Sequence, residues 1–304
     1  MPGEVFYWVF NMSIAATICM LPILLIRCIR SIPRRVFVWL WIIPFLRLCL
    51  PVGLSSPYSL MTLISHFTTR TVTVYEMGSS TNLTMTNYVM GANQYFPITY
   101  KVRLLENLFN TVSIIWFIIV VAALLAMIGI YGFTGRQVKS AKNVRDNIYM
   151  SNQIESPGVY GVFKAKILLP EAYPEEALPY VLMHEQAHVQ RKDNLVRLLA
   201  FVIVCVHWFN PFAWLMLKLL YSDMELACDE TVLAKCNEAQ RKEYARALLC
   251  AVERTYVFLA SFGGAKIRMR IENILSYKKI SVFAAIAFSL LILAIACVLL
   301  TNAS

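Results

Sequence analysis

The chain has 304 residues, of which 59% are apolar and only 15% charged, and it carries a formal net charge of +10. That apolar excess excludes an ordinary soluble domain and points to an integral membrane protein. The basic excess alone would fit nucleic-acid binding. The Lys and Arg residues crowd beside apolar runs, however, as membrane topology requires, so lipid is the expected partner and direct nucleic-acid binding is not.

Four apolar runs approach the length that spans a bilayer: Val5 to Ile26, Val36 to Leu54, Thr111 to Phe133 and Ser281 to Leu300. The first is too long, and too poor in preceding basic residues, for a cleaved signal peptide. Arg27, Arg30, Arg34 and Arg35 follow it, Arg136, Lys139, Lys142 and Arg145 follow the third, and Lys266, Arg268, Arg270, Lys278 and Lys279 precede the fourth. By the positive-inside rule these clusters are cytoplasmic, which places both termini outside. The expected organisation is residues 1–56 as two transmembrane helices with a basic loop and 57–108 as an extracellular loop. Residues 109–133 are the third helix, 134–280 a cytoplasmic domain and 281–301 the fourth helix. Arg47, inside the second run, either snorkels or faces a polar bundle interior. None of the eight cysteines falls in the outside loop, so no disulfide framework is expected. That loop is the one sizeable extracellular surface, suited to sensing or to docking a partner.

Residues 134–280 hold the chemistry. Val159 to Pro170 reads as a strand, with its Val162 to Leu168 part as a sheet edge. Pro170, Pro174 and Pro179 punctuate the approach to His184-Glu185-Gln186-Ala187-His188, the pattern H-E-x-x-H. On a helix, positions i and i+4 share a face, so both imidazoles can hold one zinc ion while Glu185 acts as base on a water. A third ligand is needed, and His207 and Glu225 are both candidates. Glu225 and Asp229 share a helical face, which lets Glu225 bind the ion while Asp229 orients a ligand histidine. Cys228 lies off that face and is read as structural, and Asp223 and Glu230 point elsewhere, into solvent.

His184-Glu185-x-x-His188, Arg191-Lys192-Asp193, Trp208-Phe209-Asn210-Pro211 and Glu225-Leu226-Ala227-Cys228-Asp229 together resemble the M56 peptidase family, which includes bacterial antirepressor receptors for β-lactam antibiotics. The resemblance runs over roughly residues 1 to 300. It implies an α-helical integral membrane protein with an inserted cytoplasmic α+β gluzincin-type zinc metalloprotease domain. It implies His184, His188 and Glu225 as ligands, Glu185 as base and acid, and Asp229 behind the ligands. A protein substrate, such as a transcriptional repressor, would be the partner. The receptors carry an extracellular penicillin-binding sensor after the last helix, whereas this sequence stops at Thr301-Asn302-Ala303-Ser304, so β-lactam sensing is not expected of it. Ser276-Tyr277-Lys278-Lys279 matches S-x-x-K, the acylation motif of such sensors, only by coincidence.

A shared metal keeps His188 and Glu225 on one side of the membrane, so the apolar stretch Leu195 to Leu220 must be a hairpin or re-entrant element, turning near Asn210-Pro211. The receptors also cut themselves before their last helix. The matching stretch, Leu259 to Lys266, makes Ser261 and Phe262 the expected autocleavage site, helped by Gly263-Gly264. Two rival functions are a housekeeping membrane protease of the prenyl-protein or stress type and a non-catalytic, metal-stabilised transducer. The first usually carries Gly where this chain has Ala187; the second has no use for Glu185.

Overall fold

The computed structural model describes residues 2–29, 32–50, 55–60, 62, 64, 73–77, 83–87, 103–154, 156–171, 173–255, 260–279 and 281–301. Most of the expected extracellular loop lies outside the described residues. Within it, β1 (Thr73–Met77) pairs antiparallel with β2 (Leu83–Asn87).

Among the described residues, three helices are long and apolar enough to cross a membrane. They are α1 (Pro2–Arg27), α3 (Arg103–Lys139) and α9 (Val282–Leu300), with apolar spans of 23, 27 and 19 residues. Outward-facing Phe117, Ile118 and Leu125 of α3, and Phe283, Leu290 and Leu293 of α9, are exposed. Such apolar surface is unfavourable in water and is the ordinary outer face of a helix in lipid. The second apolar run behaves differently. It forms α2 (Arg34–Cys49), 16 residues long, or about 24 Å, short of a hydrocarbon layer of about 30 Å. The helix ends because Leu50 is extended (φ −101°, ψ 113°), the conformation that a residue preceding a proline, here Pro51, favours. Its Phe37, Leu40 and Trp41 are fully buried at the centre of the helical core.

Arg47 turns inward. It is 2% exposed and its Nη1 donates to Leu300 O at 3.0 Å, a cation set against the C-terminal carbonyls of α9. The described cysteines are all free.

After α3 comes a four-stranded sheet in the order β3 (Lys142–Arg145), β4 (Ile148–Ser151), β6 (Lys166–Pro170), β5 (Gly158–Tyr160). β3 is antiparallel to β4, β4 parallel to β6, and β5 antiparallel to β6. The expected edge, Val162 to Leu168, is therefore wrong. β6 is flanked on both sides, and β5 and β3 are the edges. The reversal between β5 and β6 needs Gly161, whose φ is +98° and where an added Cβ would meet Lys164 O at 2.6 Å. Tyr160 fixes the sheet to α3 by donating to Tyr131 O at 3.0 Å.

Five helices follow: α4 (Leu178–Arg191), α5 (Asp193–Val206), α6 (Pro211–Leu233), α7 (Glu238–Thr255) and α8 (Ala260–Leu275). α5 and α6 form a hairpin whose turn, residues 207–210, is driven into α1, α2 and α3. Backbone removed from water at such a depth must be satisfied by protein. Asn210 does much of this. Its Oδ1 accepts from Phe212 N at 2.9 Å, capping α6 with Pro211 at the first position. Its Nδ2 donates to Ser13 O at 3.2 Å and Thr17 Oγ1 at 3.1 Å. Trp116 Nε1 donates to Val206 O at 2.8 Å. Asn210→Ala should cost about 1–2 kcal/mol for the cap, and more for the lost tethers, read as a lower melting temperature of the detergent-solubilised chain.

Candidate metal centre

α4 begins with Pro179 in its first turn, where its missing N–H costs nothing, and presents His184 and His188 one turn apart, with Glu185 next to the first. It ends at Lys192, in the left-handed region (φ 55°), so that Asp193 starts α5 after a sharp corner. That corner returns the Asp193 carboxylate to His188, with Oδ2 2.6 Å from Nδ1. α6 crosses α4 and brings up Glu225, Cys228 and Asp229.

Three donor groups converge. The Nε2 atoms of His184 and His188 are 3.1 Å apart. Glu225 Oε2 lies 3.6 Å from His184 Nε2, and Oε1 lies 3.7 Å from His188 Nε2. Donors at about 2.0–2.2 Å from one tetrahedral ion stand about 3.3–3.6 Å apart, so the two imidazoles and the Glu225 carboxylate, which reaches each ring with a different oxygen, stand near the spacing that a metal such as zinc needs. His207 does not join it. It lies at the far end of α5 from Asp193, about 20 Å along that helix. Its Nε2 donates to Leu48 O at 3.0 Å, which leaves Nδ1 to accept from Ser13 Oγ at 2.6 Å. This is a neutral, fully used imidazole.

Groups behind the imidazoles set their tautomers. Asp193 takes a hydrogen bond from His188 Nδ1. His184 Nδ1 meets Tyr244 Oη at 2.8 Å, and Tyr244 donates to Asp229 Oδ1 at 2.5 Å. Tyr244 therefore accepts from Nδ1–H of His184, with Asp229 Oδ1 itself 3.3 Å from that nitrogen. With Nδ1–H so engaged, each ring turns its Nε2 toward the centre, where loss of the Nε2 proton exposes a lone pair for an ion. Arg270 closes the outer side, gripping Asp229 through Nε at 2.8 Å and Nη2 at 2.7 Å. Burial would raise the Asp229 pKa, but the charge and hydrogen bonds of Arg270, with His184 beside it, together outweigh burial and hold the carboxyl below its usual range. Burial would likewise depress His188, but the hydrogen bond to Asp193 together with the interactions with Cys228 and Glu225 outweighs it, and the imidazole is pushed up to about 11. The nest of carboxylates favours positive charge between them, as a cation site requires.

Cys228 is buried, and its thiol donates to His184 O at 3.3 Å, so it packs α6 on α4. Its sulfur also stands within 4.8 Å of the imidazole donors, so His184, His188 and Cys228 form a second group that could hold a metal ion.

Glu185 is 7% exposed and forms part of the wall of a cavity of about 230 Å³, together with His184, His188 and Glu225. Val159 of the edge strand β5, Tyr180 and Leu248 supply apolar wall. Asn194 holds β5 there, its Nδ2 donating to Val159 O at 2.9 Å and Gly161 O at 3.0 Å. Arg197, on α5, pairs closely with Glu225 Oε1. Asp223 and Glu230 are not solvated as expected, but 0% and 4% exposed, because the α1–α2 junction covers that side of α6. The backbone at Ser261 and Phe262 lies in the first turn of α8, while Leu259 lies outside the described residues. A peptidase cleft takes an extended segment, so cutting there requires that turn to unwind.

Nothing in the sequence singles out Tyr244, Arg197 or the partnership of Arg270 with Asp229. Asp193 appeared only as part of a motif. Tyr244 and Arg270 stand 60 and 86 residues beyond His184, with no spacing to betray them.

An H-E-x-x-H helix crossed by an acidic helix, set among membrane-spanning helices, defines a membrane-bound centre of metallopeptidase type. The family described as BlaR1 peptidase M56 matches residues 7–274, and the chain belongs to that family. It is similar to the Regulatory protein BlaR1 of Bacillus licheniformis, 32% identical over 99 residues, which are 32% of this chain and 16% of that protein. It is 30% identical to the Methicillin resistance mecR1 protein of Staphylococcus aureus over 110 residues, 34% of this chain and 19% of that one. The Regulatory protein BlaR1 of Staphylococcus aureus is 27% identical over 138 residues, 42% and 24% of the two chains. The matched part thus spans about a sixth to a quarter of the length of these relatives.

Proposed function

We propose that this chain is a zinc endopeptidase of gluzincin type, with its active site at the cytoplasmic face of the membrane, cutting a regulatory protein such as a transcriptional repressor. The observation that carries the proposal is the donor triangle of His184, His188 and Glu225 with Glu185 on the wall of the same cavity. Zinc, when bound, supplies Lewis acidity toward a peptide carbonyl and lowers the pKa of water. His184, His188 and Glu225 hold it, while Asp193 and the Tyr244–Asp229 pair fix the imidazole tautomers. The Glu185 carboxylate takes the proton of the attacking water and passes it to the nitrogen of the departing amine. The edge strand β5 offers backbone for an extended substrate segment.

In the membrane, α1, α2, α3 and α9 cross, with both termini outside. Local thinning of the bilayer accommodates the short α2. Self-cleavage at Ser261–Phe262 belongs to the same proposal, after the first turn of α8 opens. The test incubates the lipid-reconstituted chain with a fluorogenic peptide library and with a winged-helix transcriptional repressor as candidate substrate, and follows fragments by mass spectrometry. Cleavage by the wild type that disappears with a chelator and in Glu185→Ala supports the proposal. Bound metal without any cleavage would favour the non-catalytic transducer.

A further inference from the structure

α6 presents two sets of carboxylates. At about 100° per residue, Glu225 and Asp229 share one side, while Asp223 and Glu230 share another about 130° away. The first pair faces the metal centre. The second is buried against the cytoplasmic ends of the membrane helices, where each acid meets groups from the α1–α2 junction. Arg27, the last residue of α1, grips Asp223 in a fork, with Nε 3.0 Å from Oδ2 and Nη2 3.1 Å from Oδ1. Trp41 Nε1 of α2 donates to Asp223 Oδ2 at 2.8 Å, and Arg34 Nη1 stands 3.8 Å from Oδ1. Glu230 sits on the open N-terminus of α2, accepting from Arg34 N at 2.8 Å through Oε1 and from Arg35 N at 3.3 Å through Oε2. It satisfies N–H groups that no residue of α2 can reach, at the positive end of the helix dipole. The Arg35 guanidinium in turn donates to Glu230 O.

We propose that this junction is a clamp, and that Asp223 and Glu230 are positioning residues for the metal centre, resting on the zinc reading above. The two anchors lie seven residues apart, about 10 Å along the axis, and bracket both Glu225 and Asp229. Fixing both ends of that segment fixes its rotation as well as its height. A turn of about 20° would carry a carboxylate about 6 Å from the axis through about 2 Å. Metal–ligand distances tolerate about 0.2 Å, so the clamp decides whether Glu225 completes the donor triangle. It also joins the peptidase centre mechanically to the membrane helix pair, so a shift of α1 against α2 changes the set of α6.

The test uses the full chain in lipid nanodiscs, stripped of metal and titrated with Co²⁺, whose visible absorption band reports coordination. Asp223→Asn and Glu230→Gln keep shape and remove charge. Each is expected to weaken Co²⁺ binding about tenfold, the lower end of what outer groups contribute, and to alter the band. With a peptide substrate, kcat should fall while KM stays near its wild-type value. Folded variants with wild-type affinity and band would overturn the clamp. Should Asp223→Asn fail to accumulate, Arg27→Gln, which leaves Arg34 and Trp41 on Asp223, decides by the same readout. A wild-type chain that binds no Co²⁺, or whose binding survives His188→Ala, would overturn the metal-centre reading and the clamp with it. Intact wild-type binding with indifferent Asp223 and Glu230 variants would overturn the clamp alone.

Discussion

Glu185→Ala is expected to keep one zinc ion per chain while peptide hydrolysis falls by about 10²- to 10⁴-fold, the contribution of a positioned general base. The separation follows from geometry. Glu185 lines the cavity and is not one of the three side chains whose donor atoms converge within 3.1–3.7 Å. His184→Ala, His188→Ala and Glu225→Ala each remove one corner of that triangle, and two remaining ligands do not hold a catalytic ion. All three should lose both metal and activity. Metal analysis after dialysis, beside a cleavage assay on the same samples, checks each variant. Asp193→Asn should be intermediate, with metal affinity lower by about 10- to 100-fold, because the amide orients His188 without the charge that strengthens its donor nitrogen. Full zinc retention by Glu225→Ala would transfer the third position to Cys228, whose sulfur stands within 4.8 Å of both imidazole donors.

The expected core of this centre was legible because helical spacing is local information. His184 and His188, and Glu225 and Asp229, are i, i+4 pairs, and such pairs share a face whatever surrounds the helix. What covers the other faces is not local. Asp223 and Glu230 look like ordinary solvated acids in the sequence, and they are buried only because Arg27, Arg34 and Arg35 arrive from nearly 200 residues earlier. Those arginines carry a double signal, and the topology rule reads only one part of it. The membrane helices were legible from apolar length, except α2, whose early end shortens it below the other spans. The strand region was legible as strand but not in its order. The choice between β5 and β6 as the edge depends on β4, which pairs with β6 from outside the segment. Asp193 was hidden by the corner at Lys192, a left-handed residue that is not glycine and carries no obvious sequence mark.

Arg270→Ala should produce the largest loss of stability among single changes at the centre. Asp229 is fully buried, and Arg270 gives it two hydrogen bonds in a fork. Removing one partner of a buried pair leaves a charge that neither water nor the lost cation stabilises, which costs about 3–5 kcal/mol. Tyr244 still donates to Asp229, but a single neutral donor cannot replace a guanidinium. Removing both partners is a different case. Arg270→Met combined with Asp229→Leu leaves no orphaned charge, and buried pairs replaced by apolar groups are often neutral in stability. The double variant should therefore recover much of the lost stability, so that a double-mutant cycle reports strong coupling. It should not recover metal affinity, because His184 would keep Tyr244 without the carboxylate that aligns it. Arg270→Lys keeps the charge but loses the fork, and should fall between wild type and alanine on both scales. Unfolding followed by pulse proteolysis in detergent, beside metal affinity measured on the same preparations, distinguishes the two roles. If stability and metal affinity moved together in all three variants, Arg270 would act only as a brace between α8 and α6, with no part in orienting His184.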